Sequence, residues 1–310
     1  MTATTVEEFE AQRPSLMGLA YRMLGEVHEA EDAVQDAYLR WRTADRDRIE
    51  APRAWLAKVV TNLCLNRLSS ARARRETYPG PWLPEPVPTG ARRSGAAGPA
   101  GAVASAGGVL TLGPLETVEQ RDSISLALLT LMERLTPPER AVFVLREAFS
   151  HTHREIAEIL GVTEAGSRRL HHRARQRLGE PRPRFETEPG QWQRLVERFL
   201  AAAADGDVAG LEAVLAADVT AWSDGGGRVS AARRPIIGRD RVARFILGLA
   251  AGQVAGDAAI EEVNCAPALI YRVEGVVVLV TAFEITDGRI SALHMVLNPG
   301  KLAFAAEYLP

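Results

Sequence analysis

The sequence predicts a multidomain chain: two all-α domains joined by a flexible linker, the second containing a helix-turn-helix, followed by an α+β domain. Three observations carry this. Apolar residues recur at helical spacing over residues 6–76 and again over 115–178. A Pro-, Gly- and Ala-rich tract separates those stretches, and after about residue 268 the pattern turns to β-type runs broken by hairpin signals. At 310 residues the chain is about twice a typical domain. With 46% hydrophobic and 25% charged residues it can build ordinary cores.

In the first domain, Leu16, Leu19, Ala20, Met23 and Leu24 mark a helix that Gly25 closes. A second helix near Glu29–Arg42 has Ala33, Val34, Ala37, Tyr38 and Trp41 as its inner stripe. Pro52 opens a third, through Trp55, Leu56, Val59, Val60, Leu63 and Leu68. The tract TYPGPWLPEPVP that follows cannot be helix interior, and TGARRSGAAGPAGAVASAGG has little to bury and reads as flexible. Trp82 and Leu83, large apolar groups among prolines, need something to dock on.

Helical periodicity resumes with Thr136-Pro137-Pro138-Glu139 as a helix start, continued by Val142, Leu145 and Arg146. Further on, a helix through Trp192, Leu195, Val196, Phe199 and Leu200 leads to a short one through Leu211, Val214 and Leu215. Three β runs follow, 268–273, 276–285 and 289–297, separated by Glu274-Gly275 and Asp287-Gly288, which predict an antiparallel meander.

Composition excludes several classes. The formal charge of −2 argues against a uniformly basic or acidic chain. No apolar run approaches the roughly 18 residues of a spanning helix, so no membrane association is expected. The start MTATTVEEFE lacks a secretion signature. Cys64 and Cys265 lie far apart with no CxxC spacing, which predicts neither disulfide nor zinc and fits a soluble protein of a reducing, cytoplasmic compartment.

The near-neutral total hides a segregation. Between residues 54 and 75 the charges are Lys58, Arg67, Arg72, Arg74 and Arg75. Between 165 and 184 they are seven arginines against Glu180. Two basic stretches on helices suggest a polyanion touched twice, although a solvated helix face is the ordinary meaning of one such run. The second is the sharper. HREIAEILG forms a short amphipathic helix, Gly161 the turn with Val162 packed beneath it, and Thr163 the cap of a second helix burying Leu170, Ala174 and Leu178. The outer face of that helix, Arg168, Arg169, His172, Arg173 and Arg175, suits major-groove edges and phosphates; a structural αα-hairpin with a basic face is the alternative. In the first domain, Glu31, Asp32, Gln35, Asp36 and Arg40 form a stripe better suited to a protein partner. Lys58, Asn62, Asn66 and Arg67 on the next helix can contact bases and phosphates.

Residues 11–76, through EAEDAVQDAYLRW and PRAWLAKVVTNLCLNRL, resemble the second domain of bacterial extracytoplasmic-function sigma factors. Residues 116–179 are similar to their fourth domain through LTPPERAVFVLRE and EIAEILGVTEAGSRRLHHRARQRL. The two matches cover about half the chain. The rest resembles the subgroup with a fused SnoaL-like C-terminal domain, on YPGPWLPEP (Tyr78–Pro86), DGGGR (Asp224–Arg228) and NPGKL (Asn298–Leu302). Arg228 stands where that subgroup carries lysine, and Gly300 where it carries aspartate. Ser167 and His171 stand where many members carry aliphatic residues, leaving the register of the recognition helix open by one position.

The resemblance implies sigma domain 2 over 1–76, a linker over 77–115, sigma domain 4 over 116–182 and a SnoaL-like cone domain over 189–310. Asp32, Gln35, Asp36, Leu39 and Arg40 would bind the clamp helices of the largest subunit of core RNA polymerase. Domain 4 would meet the flap of the second-largest subunit. Lys58, Asn62, Asn66 and Arg67 would act at the −10 element of promoter DNA, and Arg168, Arg169, His172, Arg173 and Arg175 at the −35 element. No cofactor and no catalytic residue is implied for the sigma domains.

The cone domain could be an enzyme or a regulator. Trp222, Asp224, Tyr271 and His294 are the residues able to serve proton-transfer chemistry, with His294 facing the cavity along Ile290, Ala292 and Val296 or else standing as a hydrogen-bonded core histidine. Asp224 opens a triple-glycine loop, which suits docking better than catalysis. The regulatory reading seats Trp82 and Leu83 against Asp224, Gly225, Gly226, Gly227, Arg228, Asn298, Pro299 and Lys301, with a small-molecule ligand in the cavity shifting that equilibrium. The rival for the whole chain is a one-component helix-turn-helix regulator with a sensor domain, which leaves the first domain unused.

Overall fold

A computed structural model of the chain describes residues 3–89, 124–179, 189–252 and 254–308. They fall into two compact units, one of residues up to Thr77 with Thr89–Glu180, the other of Tyr78–Pro88 with Pro181–Pro310. The Gly/Ala tract lies outside the described residues. Residues 78–88, counted with the linker from sequence, belong to the C-terminal unit.

The first unit is helical. Helices α1 (Ala3–Leu24), α2 (Val27–Thr43) and α3 (Pro52–Glu76) pack side by side, with Gly25 in left-handed backbone (φ 74°) turning α1 into α2. Pro52 occupies the first turn of α3, where its missing N–H is not needed. Four helices follow: α4 (Leu126–Met132), α5 (Pro137–Glu147), α6 (His153–Leu160) and α7 (Glu164–Leu178). Thr136 with Glu139, and Thr152 with Glu155, form reciprocal capping boxes. Within α5, Val142 and Leu145 are buried as expected, but Arg146 is exposed.

Helices α5 and α6 pack against α1 and α3, so the two helical stretches share one core. At that junction three charges are withdrawn from water. Glu133 pairs with both Arg75 and Arg140, Arg75 Nη2 donates to the Leu24 carbonyl at 2.7 Å, and Arg140 Nε donates to that of Arg22 at 3.3 Å. Burial pushes the Glu133 carboxyl up, but the guanidiniums of Arg140 and Arg75 outweigh it and hold it below the usual range. Cys64 is fully buried there, its thiol pushed up to about 12 by desolvation, which makes it inert.

The C-terminal unit opens with α8 (Pro189–Ala204) and α9 (Val208–Val214), the latter capped by Asp207. Leu215, placed in that helix from sequence, instead begins β1 (Leu215–Asp224). The short β2 (Ile236–Ile237) and helix α10 (Arg239–Gly252) precede β3 (Asp257–Val263), β4 (Ala266–Val273), β5 (Val276–Thr286) and β6 (Arg289–Val296), and α11 (Pro299–Tyr308) closes the chain. The sheet order is β2-β1-β6-β5-β4-β3. Strands β3 to β6 form the expected antiparallel meander, but β1 joins β6 in parallel, so the sheet is mixed. Both foreseen hairpins carry two consecutive positive φ angles, 50° and 79° at Glu274-Gly275 and 52° and 69° at Asp287-Gly288, the geometry that matches strand twist. Asn264-Cys265 (φ 53° and 58°) makes a third.

The sheet is covered on both faces. On one, α8, α9 and α10 enclose Val219, Ala221, Leu269, Leu279, Phe283, Leu293 and Met295. On the other, Leu83, Val263, Ile270, Val280, Val296, Leu302 and Ala305 form a second core against which Trp222 packs. This is the architecture expected of a SnoaL-like cone.

Candidate functional site

In the helix-turn-helix, Gly161 adopts φ 66° and ends α6, and Thr163 Oγ1 accepts from the Gly166 amide at 3.0 Å to start α7. Val162 is 39% exposed, so the turn is held by these caps rather than by a packed valine. The register of α7 is now settled. Ser167 and Ala174 are buried, while Leu170, His171 and Leu178 are half-buried. Ser167 and His171 face inward as polar braces. The Ser167 hydroxyl meets His153 Nδ1 at 3.0 Å, and His171 Nε2 meets Glu147 Oε1 at 2.7 Å. Burial, then the neighbouring His171, hold His153 below the ordinary imidazole value.

The opposite face presents Arg168, Arg169, His172, Arg173 and Arg175, all exposed. Two of these arginines have intramolecular carboxylates. Arg168 donates to Glu164 at 2.6 Å, and Arg173 reaches Glu139 at 3.4 Å, an acid that also holds Arg177 at 2.5 Å and so ties α7 to α5.

On α2, Asp32, Gln35, Leu39 and Arg40 are exposed along one face, with Leu39 at 44% an uncovered apolar group in a polar stripe. Asp36 is half-buried and accepts from Arg67 Nη2 at 2.8 Å, while Arg67 Nε lies 3.5 Å from Glu29. That pair braces α2 against α3. Lys58 and Asn66 are exposed on α3, with half-buried Asn62 between them at i+4 spacing. The side chains of Arg72 and Arg74 lie outside the described residues.

The C-terminal unit brings the three singled-out segments together on one carboxylate. Asp224 is 1% exposed at the end of β1. Its Oδ1 accepts from the Tyr78 hydroxyl at 2.6 Å and the Gly226 amide at 3.0 Å. Its Oδ2 accepts from the Leu83 amide at 2.9 Å and pairs with Lys301 Nζ at 2.7 Å. Lys301 also donates to the Leu83 carbonyl, and its ammonium stands 4.1 Å from the Trp82 ring centroid and 5.1 Å from that of Tyr78. Asn298 Nδ2 donates to Tyr78 at 2.8 Å. Leu83 is fully buried in the second core, and Val87 exchanges two backbone-anchoring bonds with Asn264 at 2.8 and 2.9 Å.

The triple glycine follows from this closeness. A Cβ on Gly226 (φ 60°) would collide with the Asn298 side chain, and one on Gly227 (φ 70°) would sit 2.7 Å from Pro79. Arg228 and Gly300, the two departures from the subgroup, are neighbours. The guanidinium of Arg228 lies 3.9 Å from where a Gly300 side chain would begin. Pro299 is exposed and supplies the first turn of α11. In the sequence Tyr78 stands out only as the first residue of YPGPWLPEP, and Asn264 not at all, because the preceding strand β3 does not read as one and the turn has no flanking signal.

A cavity of about 400 Å³ opens among α8, α10 and the sheet, lined by residues including Phe199, Ile246, Leu269, Leu279, Leu293 and Met295. Of the four residues considered for proton transfer, only Tyr271 lines it. Strand alternation puts Trp222, Asp224 and His294 on the other face, with Val296 and the 78–88 segment, so of the two readings open for His294 the cavity-facing one is excluded. His294 is the core histidine of the second reading, stacked on Trp222 at 4.9 Å with an interplanar angle of 2° and bonded to Glu284 Oε1 at 2.9 Å. Tyr271 donates to the Val254 carbonyl at 2.8 Å. No Asp, Glu, His, Lys or Arg is among the described lining residues.

No helix among the described residues is long and apolar enough to cross a membrane. Family models for sigma-70 region 2 and sigma-70 region 4 match residues 9–74 and 125–178. Over 309 residues the chain is 38% identical to the ECF RNA polymerase sigma factor SigJ of Mycobacterium tuberculosis, covering 96% of this chain and 92% of that one. It is 32% identical over 303 residues to the probable ECF RNA polymerase sigma factor SigI of the same organism, covering 95% and 93%. The crystal structure of M. tuberculosis SigJ superposes with a TM-score of 0.71 at 34% identity, covering 96% of this chain and 98% of that one.

Proposed function

The chain belongs to the extracytoplasmic-function RNA polymerase sigma factors and directs core polymerase to promoters for initiation; on that premise we propose that its C-terminal unit sets promoter output by holding residues 78–88. The observation that supports this is the Asp224 hub. One buried carboxylate ties Tyr78, Leu83, the glycine loop and Lys301 together. The held segment lies in sequence between α3 and the helix-turn-helix, two halves that share one core in the free chain, so its release sets how far they can reach once they part on polymerase.

In this reading Asp32, Gln35, Leu39 and Arg40 meet the clamp helices of the largest subunit, with Leu39 the apolar anchor and Asp36 positioning that helix through Arg67. The helix-turn-helix half meets the flap of the second-largest subunit. Lys58, Asn62, Asn66 and Arg67 work at the −10 element, which is opened by holding unstacked bases. Arg168, Arg169, His172, Arg173 and Arg175 work at the −35 element. The protein acts in the cytoplasm, where core polymerase is, and has no catalytic activity of its own.

Run-off transcription from the gene's own upstream region, with sigma-free core polymerase, tests the DNA-reading roles. Transcripts should depend on the added chain. Arg169→Ala, which removes an exposed arginine at the start of the recognition helix, should weaken −35-dependent promoter binding by about 1–3 kcal/mol, roughly 5- to 150-fold. Sequence-specific binding of duplex without polymerase, and no transcript with it, would point to the one-component regulator instead.

A further inference from the structure

We propose that the cavity of the C-terminal unit is a receptor site for a neutral, largely apolar small molecule with one hydrogen-bonding group, and that Thr281 takes that group. Thr281 stands in the middle of β5, its Cα partners being Leu269 on β4 and Met295 on β6. All three line the cavity. The threonine is 1% exposed and its hydroxyl has no hydrogen-bond partner among the described residues. A buried hydroxyl with nothing to bond is costly to keep among leucines unless something enters to meet it.

The rest of the lining defines what can enter. The cavity, at about 400 Å³, falls in the range that encloses drug-sized molecules. The buried lining residues Phe199, Ile246, Leu269, Leu279, Leu293 and Met295 are large and apolar, whereas exposed ones, Ala204, Gly256 and Ala258, are small and leave the mouth open. With no charged side chain among the described lining residues, a carboxylate, phosphate or ammonium would be desolvated with no counter-charge, so a charged ligand is disfavoured. Tyr271, the one titratable side chain among the described lining residues, has its hydroxyl proton committed to the Val254 carbonyl at 2.8 Å, and with no second acid or base facing it the site reads as a receptor rather than an active site.

The site is also wired to the linker segment. Leu269, Leu279 and Met295 face the cavity, and their strand neighbours Ile270, Val280 and Val296 face Leu83 on the other side of the same sheet. A ligand that shifts β4, β5 and β6 therefore biases the docking of residues 78–88, a coupling that rests on the regulatory reading above.

The test titrates the full chain with 1-aminoanthracene, a neutral aromatic amine that brightens in apolar surroundings, and with 1-anthracenecarboxylate as its charged counterpart. The amine should bind saturably at one site per chain and the carboxylate far more weakly. Thr281→Val, which keeps the shape and deletes the hydroxyl, should weaken the amine by about three- to tenfold. Ala258→Trp at the exposed mouth should block it while leaving the thermal melt unchanged. Absence of saturable binding, equal binding of the carboxylate, or parent-like binding by Thr281→Val would overturn the proposal. Because binding is read without polymerase, failure here and failure of the linker reading are separate results.

Discussion

Asp224→Ala should release residues 78–88 from the C-terminal unit. The carboxylate side chain is fully buried and its ion-pair partner Lys301 is 9% exposed. Removing it leaves a buried ammonium without its counter-charge and takes away acceptors for the Tyr78 hydroxyl and the Leu83 amide. Breaking a buried pair from one side costs about 3–5 kcal/mol, which lowers the docked-to-free ratio by roughly 150- to 5,000-fold. Hydrogen exchange reads this directly, because the Leu83 amide is bonded to the lost carboxylate and the Val87 amide to Asn264. Both should lose protection in the variant. Protection at Val87 equal to the parent's would mean that the apolar seat of Leu83, and not the Asp224 hub, holds the segment.

Glu133→Gln should destabilise the helical unit by about 3 kcal/mol, the lower end of the buried-pair range because the glutamate is 24% exposed. Arg140, 3% exposed, and Arg75, 13% exposed, would keep their charges with no carboxylate between them. Against a total of roughly 5–15 kcal/mol for a domain this is a large loss, visible in the denaturation midpoint. A loss under about 1 kcal/mol would mean that water already screens the pair as it does at a surface.

Acid should act on the same unit in two stages. The folded value of His153 is depressed, so its neutral form contributes stability fully present above the unfolded value near 6.5 and lost as the pH falls through the folded one. Glu133 is depressed from an unfolded value near 4.3, so its contribution persists to more acid conditions and is lost only below that value. Melting temperature followed from pH 8 to pH 3.5 should therefore fall monotonically. A rise on acidification just below about pH 6.5 would contradict the His153 assignment, and one below about pH 4.3 the Glu133 assignment.

What was legible in the sequence had local causes. Helices α1, α3, α5 and α7 announce themselves through Gly25, Pro52, Thr136 and Thr163, each of which satisfies or omits a backbone group at a helix end. The docking of Trp82 and Leu83 was legible because apolar groups among prolines cannot stay in a free linker. What was not legible is non-local. Strand β1 is joined to β6 in parallel across seventy residues, and β3 is a polar edge strand, so neither shows a clean alternation. The sequence leaves the face taken by His294 open between cavity and core for a related reason. Strands β5 and β6 are buried on both faces, by helices and cavity on one and by Leu83 and α11 on the other, which erases the in-out signal. The Arg75–Glu133–Arg140 cluster joins residues far apart in the chain and leaves no local pattern at all.

The central claim is that the C-terminal unit sets promoter output through residues 78–88. It is tested by run-off transcription with the Trp82→Ala/Leu83→Ala chain beside the parent, at matched core polymerase, with solution scattering on the same samples. The account predicts a changed transcript yield accompanied by a wider distribution of domain separations, since Leu83 and Trp82 supply the apolar seat and the lysine contact of the held segment. Unchanged yield and unchanged domain spacing would contradict it.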